Sequence, residues 1–210
     1  VGAVGDITPE ELSTLLDRLL GDLPESGAPL PEDVEPELTG GVTVIPFDTP
    51  QSVALFGHAG LDQKNEDFFA AYLLNTILGG GGFESRLMTE VREKRGLTYG
   101  VYSYLVPKDH AALVMGSVAS ANNRVAETIA VIREEWAKLG QDGLTAEELA
   151  AAKTYLTGAY PLRFDDNGPI ANILIGMQMD GLGPEYVTER NALVEALTLD
   201  EGHRGAAELY

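Results

Sequence analysis

The segment from Leu78 to Tyr104, LGGGGFESRLMTEVREKRGLTYGVYSY, determines how the rest of the chain is interpreted. It joins an apolar helix end, a run of four glycines, a short helix predicted over 84–94 and a tyrosine-rich strand. Glycine has no Cβ atom, so such a run can turn sharply and let another backbone approach closely. We therefore predict a tight hinge between two helices at Gly79, Gly80, Gly81 and Gly82.

A phosphate-binding loop is a weaker interpretation of the same glycines. Helix N-termini bind anions, but a nucleotide-binding loop follows a strand and ends in Gly-Lys-Ser or Gly-Lys-Thr. Here the run follows a predicted helix, and the acidic Glu84 lies where a phosphate would bind. The sequence therefore favours a hinge over a nucleotide site.

Basic side chains are concentrated in the predicted helix after the glycines, although the chain as a whole is acidic. It has 14 basic and 33 acidic residues, a formal net charge of −19. This balance argues against nucleic-acid partners and anionic membranes, which require clustered cations. The local cations either complement the helix dipole or form a site for carbonyl and carboxylate groups. They are Arg86, Arg92, Lys94 and Arg95.

The strands are predicted to form hairpins. One hairpin is expected to pair residues 42–45 with 53–56, and a second to pair 99–105 with 111–119. Hairpins without βαβ crossovers indicate an α+β fold, with a mainly antiparallel sheet and helices packed on one face.

Helices account for much of the remaining sequence. Residues 65–77 and 125–139 have apolar side chains at helical spacing, and the last third of the chain is predicted to be helical throughout. A strand end is predicted before the first helix. The capping box Thr-x-x-Glu marks three predicted helix starts, at Thr8, Thr145 and Thr198.

Metal-binding and catalytic patterns are weak in this sequence. The three histidines, His58, His110 and His203, are far apart, and a catalytic zinc site usually needs three protein ligands. The absence of cysteine from the sequence excludes thiolate ligands and disulfides. Asp165 and Asp166 form a candidate general-base or metal pair, but the DDNGP sequence is better explained by turn chemistry. The chain itself is therefore predicted to bind no metal or other cofactor.

Arg92 and Tyr99 are the candidate binding residues. Both residues have a structural interpretation. Arg92 could pair at the surface with Glu90 or another acid, and Tyr99 could be an aromatic residue packed on a strand. The functional interpretation is that guanidinium and phenol both donate hydrogen bonds to a carbonyl or a developing oxyanion. From the pattern alone the structural interpretation is the more common one.

The segment LNTILGGGGFESRLMTEVREKRGLTYGVYS resembles the signature of the pitrilysin and mitochondrial-processing-peptidase superfamily of zinc metallopeptidases. In that superfamily the pattern LGGG-x-x-SRL-x-x-E-x-R-x-x-x-GL-x-Y recurs in the second of paired homologous domains. The resemblance implies that residues 1–23 are the last strand and helix of a truncated preceding domain. Residues 24–40, rich in proline, are then a linker, and residues 41–210 are the C-terminal peptidase-family domain.

The resemblance implies that this chain is the non-catalytic, peptide-binding half of a zinc metallopeptidase. Zinc is then held by a homologous domain or subunit, and the chain alone is inactive. An Arg/Tyr pair seven positions apart holds the substrate backbone near the zinc, and Arg92 and Tyr99 match it. The peptide is expected to add to the edge of a sheet.

Two alternatives remain open. The chain is a structural or assembly subunit of the same superfamily without proteolytic role, or a fragment of a complete zinc endopeptidase whose zinc motif lies upstream. The resemblance implies a periplasmic location, with a soluble cytoplasmic one as the alternative. No apolar run reaches the length of a membrane span, so no membrane insertion is predicted.

Overall fold

The computed structural model describes residues 1–32, 37–108 and 111–210. The described residues contain three strands, β1 (Gln51–Ala59), β2 (Thr98–Val106) and β3 (Leu113–Ala121). Their α-helices are α1 (Pro9–Leu20), α2 (Phe68–Asn75), α3 (Val125–Asp142), α4 (Ala146–Ala159), α5 (Asn167–Met179), α6 (Tyr186–Ala196) and α7 (Leu199–Leu209). Short 3₁₀ turns cover Gly82–Glu84 and Pro161–Arg163, and π-helical segments cover Thr76–Gly80 and Met88–Glu93. The predicted α+β class is confirmed.

All three predicted capping boxes are present. In α1 the Glu11 N–H donates to Thr8 Oγ1 at 3.2 Å, and the Thr8 N–H donates to the Glu11 carboxylate at 2.9 Å. The same reciprocal bonds join Thr145 with Glu148 and Thr198 with Glu201. Each box satisfies two backbone donors that the first helical turn would otherwise leave unpaired.

The sheet is antiparallel and has the strand order β1-β3-β2. β1 pairs with β3 from Gln51 opposite Ala121 to Ala59 opposite Leu113. β2 pairs with the other side of β3, and its register shifts between Thr98 and Val101, where a bulge forms. The predicted hairpin of 99–105 with 111–119 is thus confirmed.

The predicted hairpin of residues 42–45 with 53–56 is wrong. Residues 53–56 lie in β1, which pairs with β3, whereas residues 42–45 form no strand in the described chain. Val42, Val44 and Ile45 are 72–82% exposed. A segment of high β propensity forms a strand when it hydrogen-bonds to a neighbouring strand and packs against the core. Residues 42–45 do neither in the described chain.

A predicted strand end before α1 is also wrong. Residues 1–4 form no strand in the described chain. They lie instead against α5: a Cβ atom on Gly2 would be 2.8 Å from Ile175, and the Gln178 side chain donates to the Val1 carbonyl at 3.2 Å. The backbone N–H and C=O groups of α5 are bonded within the helix, so α5 cannot pair with residues 1–4 as a neighbouring strand would.

The chain forms two compact units, Val1–Asp33 with Ala159–Thr188, and Val34–Gly158 with Glu189–Tyr210. The first unit contains α1 and α5. The second contains the sheet and one apolar core, to which α2, α3, α4, α6 and α7 contribute. The division into 1–23, 24–40 and 41–210 stays a prediction. None of the helices in the described residues has the length and apolar character of a membrane span.

One face of the sheet is buried in the core of the second unit and the other is open. Val101, Val114 and Val118 are fully buried, in line with helices packing on that face. On the opposite face Val53 and Leu55 are 71% and 69% exposed. The Tyr-rich strand β2 therefore lies with one side in the core and one side at the surface.

Candidate functional site

The glycine run begins inside a helical segment that packs closely against β2. Gly79 is buried in the π-helical turn that continues α2. A Cβ atom there would lie 2.6 Å from Ser103 Oγ, 2.7 Å from the Ser103 backbone nitrogen and 2.9 Å from a Leu87 methyl group. The neighbouring Asn75 side chain donates to the Ser103 carbonyl at 3.3 Å. Gly79 thus permits direct contact of helix and strand backbones.

Replacing Gly79 with alanine is expected to lower the free energy of unfolding by about 2 kcal/mol, since overpacking a filled core typically costs 1–3 kcal/mol. Urea unfolding followed by circular dichroism measures the loss. Gly158→Ala in α4 is the matched control, because a Cβ atom there meets nothing within 4 Å. Equal stability of Gly79→Ala and Gly158→Ala would contradict the close packing.

The end of the glycine run forms a fixed turn. Gly82 has a φ angle of +67°, a region that favours glycine. Its carbonyl accepts hydrogen bonds from the buried Ser85, 2.9 Å from the hydroxyl and 3.3 Å from the N–H. This turn leaves the Phe83 side chain 66% exposed. The predicted tight hinge between two helices at Gly79, Gly80, Gly81 and Gly82 stays a prediction.

Arg92 lies on the π-helical segment Met88–Glu93, where a continuous helix over 84–94 was predicted. The buried Met88 and Val91 anchor this segment in the core. The segment closes through Gly96, whose φ is +58° and whose N–H donates to the Arg92 carbonyl at 2.8 Å. The Leu97 N–H donates to the Val91 carbonyl at 3.0 Å. The chain therefore reverses within a few residues after Arg92.

Tyr99 follows this reversal at the bulge of β2. The Thr98 hydroxyl lies 2.6 Å from the Ala119 carbonyl and accepts from the Gly100 N–H at 3.1 Å, so the bulge is held by side-chain bonds. The Tyr99 side chain points outward and is 86% exposed. Its ring centroid is 5.2 Å from the Arg92 Cζ atom, a cation–π distance. The structure thus brings together the two residues singled out in the sequence.

The other cations of the segment have structural partners. Lys94 and Arg95 both pair with Glu90, and their hydrogen bonds, that from Lys94 first, hold the pKa of the Glu90 carboxyl below its usual value. Arg86 pairs with Glu148. Arg92 does not pair with Glu90, but it forms an ion pair with another surface acid, as the structural interpretation allowed. Its nearest carboxylate is that of Glu93, with Nε and Oε1 3.7 Å apart.

The remaining candidates have local roles or lie outside the described residues. His58 accepts a hydrogen bond from the Trp136 indole at 3.0 Å. The Asp166 carboxylate caps α5 by accepting from the Gly168 N–H at 3.0 Å, as turn chemistry predicts. His203 lies in α7, and His110 is outside the described residues. Among residues 1–32, 37–108 and 111–210, no three His, Asp or Glu side chains are grouped to hold a metal ion.

Phe83 is the site residue that the sequence did not indicate. The Arg92 Cζ atom lies 4.7 Å from the Phe83 ring centroid, closer than to Tyr99. Phe83 and Arg92 are nine positions apart in the sequence. They meet because the turn at Gly82 places Phe83 and the packed helical segment Met88–Glu93 places Arg92. In the sequence, Phe83 can be recognised as an aromatic residue beside a glycine run, but this pattern does not indicate that Arg92 is its partner.

Comparison with known proteins agrees with the resemblance seen in the sequence. The model of the family described as the peptidase M16 inactive domain matches residues 1–156. An uncharacterized zinc protease of Streptomyces coelicolor is 36% identical over 133 residues, which are 63% of this chain and 29% of that protein. A Helicobacter pylori protein named as a non-peptidase homolog is 28% identical over 160 residues, 76% of this chain and 37% of that protein.

A solved structure is similar over nearly the whole chain. The peptidase M16 inactive domain from Pseudomonas fluorescens superposes with a TM-score of 0.86 and 29% identity, covering 99% of this chain and 49% of that one. The chain therefore spans less than half the length of each of these three proteins.

Proposed function

Because this chain belongs to the peptidase M16 inactive-domain family, we propose that it is the peptide-binding half of a zinc protease and that Arg92 and Tyr99 hold the substrate backbone. The carrying observation is the 5.2 Å distance from the Arg92 Cζ atom to the ring of the exposed Tyr99. Both side chains can donate hydrogen bonds, and the ion pair of Arg92 with Glu93, at 3.7 Å between Nε and Oε1, is longer than a hydrogen bond.

The chemistry of this pair suits a peptide carbonyl. A guanidinium offers several N–H donors in a fixed fork, and a phenol offers one O–H donor. Donors directed at a carbonyl oxygen stabilise the negative charge that develops there during peptide hydrolysis. The zinc that activates the attacking water belongs, in this proposal, to a homologous domain or subunit facing this one. The peptide lies along the edge of the sheet at β2, next to Tyr99, where the described residues provide no further strand.

The proposal predicts that Tyr99→Phe lowers kcat/KM of the assembly with its zinc-bearing partner about tenfold, the order expected for one hydrogen bond to a developing charge. The substitution removes only the hydroxyl group, so the ring remains beside Arg92. The measurement uses an internally quenched decapeptide that the unaltered assembly cleaves. Tyr155→Phe in α4 is the matched control, because Tyr155 is also exposed, at 50%. Equal kcat/KM for both variants would contradict the proposal.

A structural role in assembly is the second candidate. The name of the Helicobacter pylori relative, a non-peptidase homolog, supports it. Under this alternative the Tyr99→Phe variant binds its partner normally and no peptide hydrolysis depends on it. Co-purification of the partner with each variant, measured beside kcat/KM, distinguishes the two functions.

The third candidate is that the chain is a fragment of a complete zinc endopeptidase, because it matches only part of the length of its relatives. The Streptomyces coelicolor relative is named a zinc protease, and this chain spans 29% of it. The sequence upstream in the parent protein decides this point, since His-x-x-Glu-His there would place the zinc in the same polypeptide. A periplasmic location is likewise a proposal, based on family resemblance. Fractionation of cells that make the parent protein tests it.

A further inference from the structure

Within the described residues, the Arg92 guanidinium contacts two aromatic rings and forms one ion pair. Its Cζ atom lies 4.7 Å from the Phe83 ring centroid and 5.2 Å from that of Tyr99. Its nearest carboxylate, Glu93, is 3.7 Å away and belongs to a side chain that is 59% exposed. A long arginine side chain has many rotamers, and so distant and exposed a carboxylate restrains them weakly. The aromatic contacts are therefore the main restraint on the guanidinium.

Such a restraint leaves the hydrogen-bond donors of arginine available. A cation over an aromatic ring is attracted by the ring quadrupole and needs no N–H donor for that attraction. A carboxylate partner, in contrast, would occupy two donors of the guanidinium fork. Arg86 in the same segment shows the difference, because it gives its donors to Glu148 and to the Gly143 carbonyl. Arg92 is thus held in place, and within the described residues its N–H groups make one long ion-pair contact, to Glu93, and no hydrogen bond.

The Phe83 ring is itself placed by the backbone and not by core packing. Its side chain is 66% exposed, so burial in the core does not account for its position. The turn at Gly82, with φ at +67°, and the two hydrogen bonds from Ser85 to the Gly82 carbonyl fix the backbone at its base. The last glycine of the run thus directs an aromatic ring at Arg92.

We propose that Phe83 is a positioning residue of the peptide site, whose ring holds the Arg92 guanidinium with its N–H groups directed at the substrate carbonyl. This inference rests on the proposed function of Arg92 and Tyr99. It gives the glycine run a role within the site in addition to the close packing at Gly79. Phe83 acts through Arg92 and need not touch the carbonyl itself.

The first test observes Arg92 directly. Ring currents of Phe83 shift the NMR signal of the Arg92 Nε–H group, which is assigned from its loss in Arg92→Lys. Phe83→Leu keeps apolar bulk without a ring, so the signal is expected to move toward that of Arg133, an exposed arginine on α3. Phe83→Tyr keeps the ring and should preserve the signal. An unchanged signal in Phe83→Leu overturns the inference.

The second test measures kcat/KM of the assembly with its zinc-bearing partner, using the same quenched decapeptide. Phe83→Leu is expected to lower kcat/KM about tenfold, within the range of cation–π interactions. Phe83→Tyr should stay within about twofold of the unaltered assembly because it retains the ring quadrupole. In an Arg92→Gln background, Phe83→Leu should lower kcat/KM no further, because the guanidinium that Phe83 is proposed to hold is then absent.

The outcomes separate this inference from the proposed function. If Arg92→Gln lowers kcat/KM but Phe83→Leu does not, Phe83 is not a positioning residue and the proposed function stands. If the two substitutions lower kcat/KM additively, Phe83 acts independently of Arg92, which also overturns the inference. If Arg92→Gln has no effect, the proposed function and the inference fail together.

Discussion

Replacing Arg92 with glutamine is expected to lower kcat/KM of the zinc-bearing assembly by about 10²–10³-fold, the range seen when a donor to a developing oxyanion is removed. Glutamine keeps a polar side chain with an N–H₂ donor but lacks the charge and the fork of donors. Arg92→Lys keeps the charge alone, so an intermediate loss of about tenfold is expected. The graded series distinguishes a loss of directed hydrogen bonds from a loss of charge.

The same substitution is expected to leave the stability of the chain nearly unchanged. The ion pair of Arg92 with the exposed Glu93, at 3.7 Å, contributes little to folding, and cation–π contacts with the exposed Phe83 and Tyr99 rings contribute only about 0.5–1 kcal/mol. Thermal unfolding of Arg92→Gln should therefore match that of Arg133→Gln, the control on the exposed side of α3. A kcat/KM of Arg92→Gln equal to that of Arg133→Gln would contradict the role of Arg92. A large fall in melting temperature would instead make Arg92 a structural residue.

The features predicted correctly are those that short sequence patterns encode. A capping box needs only Thr8 and Glu11 on one helical turn, and the same holds at Thr145 and Thr198, so three helix starts were predictable. The binding role of Arg92 and Tyr99 stays a prediction, but their seven-residue spacing likewise spans one local reversal. The structure closes that reversal through Gly96 and brings the two side chains into contact.

The features that were missed depend on partners distant in the sequence. Residues 42–45 have high β propensity, but a strand needs a neighbouring ladder, and β1 takes β3 instead. The π-helical segments Thr76–Gly80 and Met88–Glu93 also escape a 3.6-residue periodicity, because each widened turn changes the phase of the side chains. Phe83 meets Arg92 only after this phase change and the turn at Gly82, so no spacing rule predicts the contact.

A second large effect is expected at Arg86, in stability and not in catalysis. Its Nε and Nη2 atoms donate to the two oxygens of Glu148 at 2.7 and 2.9 Å, and Nη2 also donates to the Gly143 carbonyl at 2.9 Å. The Arg86 and Glu148 side chains are only 18% and 28% exposed. Arg86→Met would leave a largely buried carboxylate without its counter-ion. We expect a loss of about 3 kcal/mol in the free energy of unfolding, toward the low end for broken buried pairs.

The matched control is Arg124→Met. Arg124 pairs with Glu127 on α3, but both side chains are more than 40% exposed, so a loss below about 1 kcal/mol is expected. Urea unfolding of the full chain measures both variants. The double variant Arg86→Met/Glu148→Gln should recover part of the loss, because no unpaired charge remains and glutamine still accepts from the Thr145 N–H. Equal losses for Arg86→Met and Arg124→Met would make the Arg86 pair an ordinary surface contact.

The pH dependence of stability gives an independent check on the Arg86 pair. Burial raises the pKa of the Glu148 carboxyl, but hydrogen bonds from Arg86 and Thr145 outweigh it, so the pKa of Glu148 in the folded chain lies below its usual value. A carboxyl group with a lowered folded pKa stabilises the fold above the unfolded pKa, about 4.3 for glutamate. That contribution is lost as the pH falls through the folded pKa. The stability difference between the unaltered chain and Arg86→Met should therefore be full near neutral pH and shrink in the acid range, as the Glu148 carboxyl becomes protonated first in the variant and then in the unaltered chain. A difference that stays constant into the acid range would contradict an ionised Glu148 as the partner of Arg86.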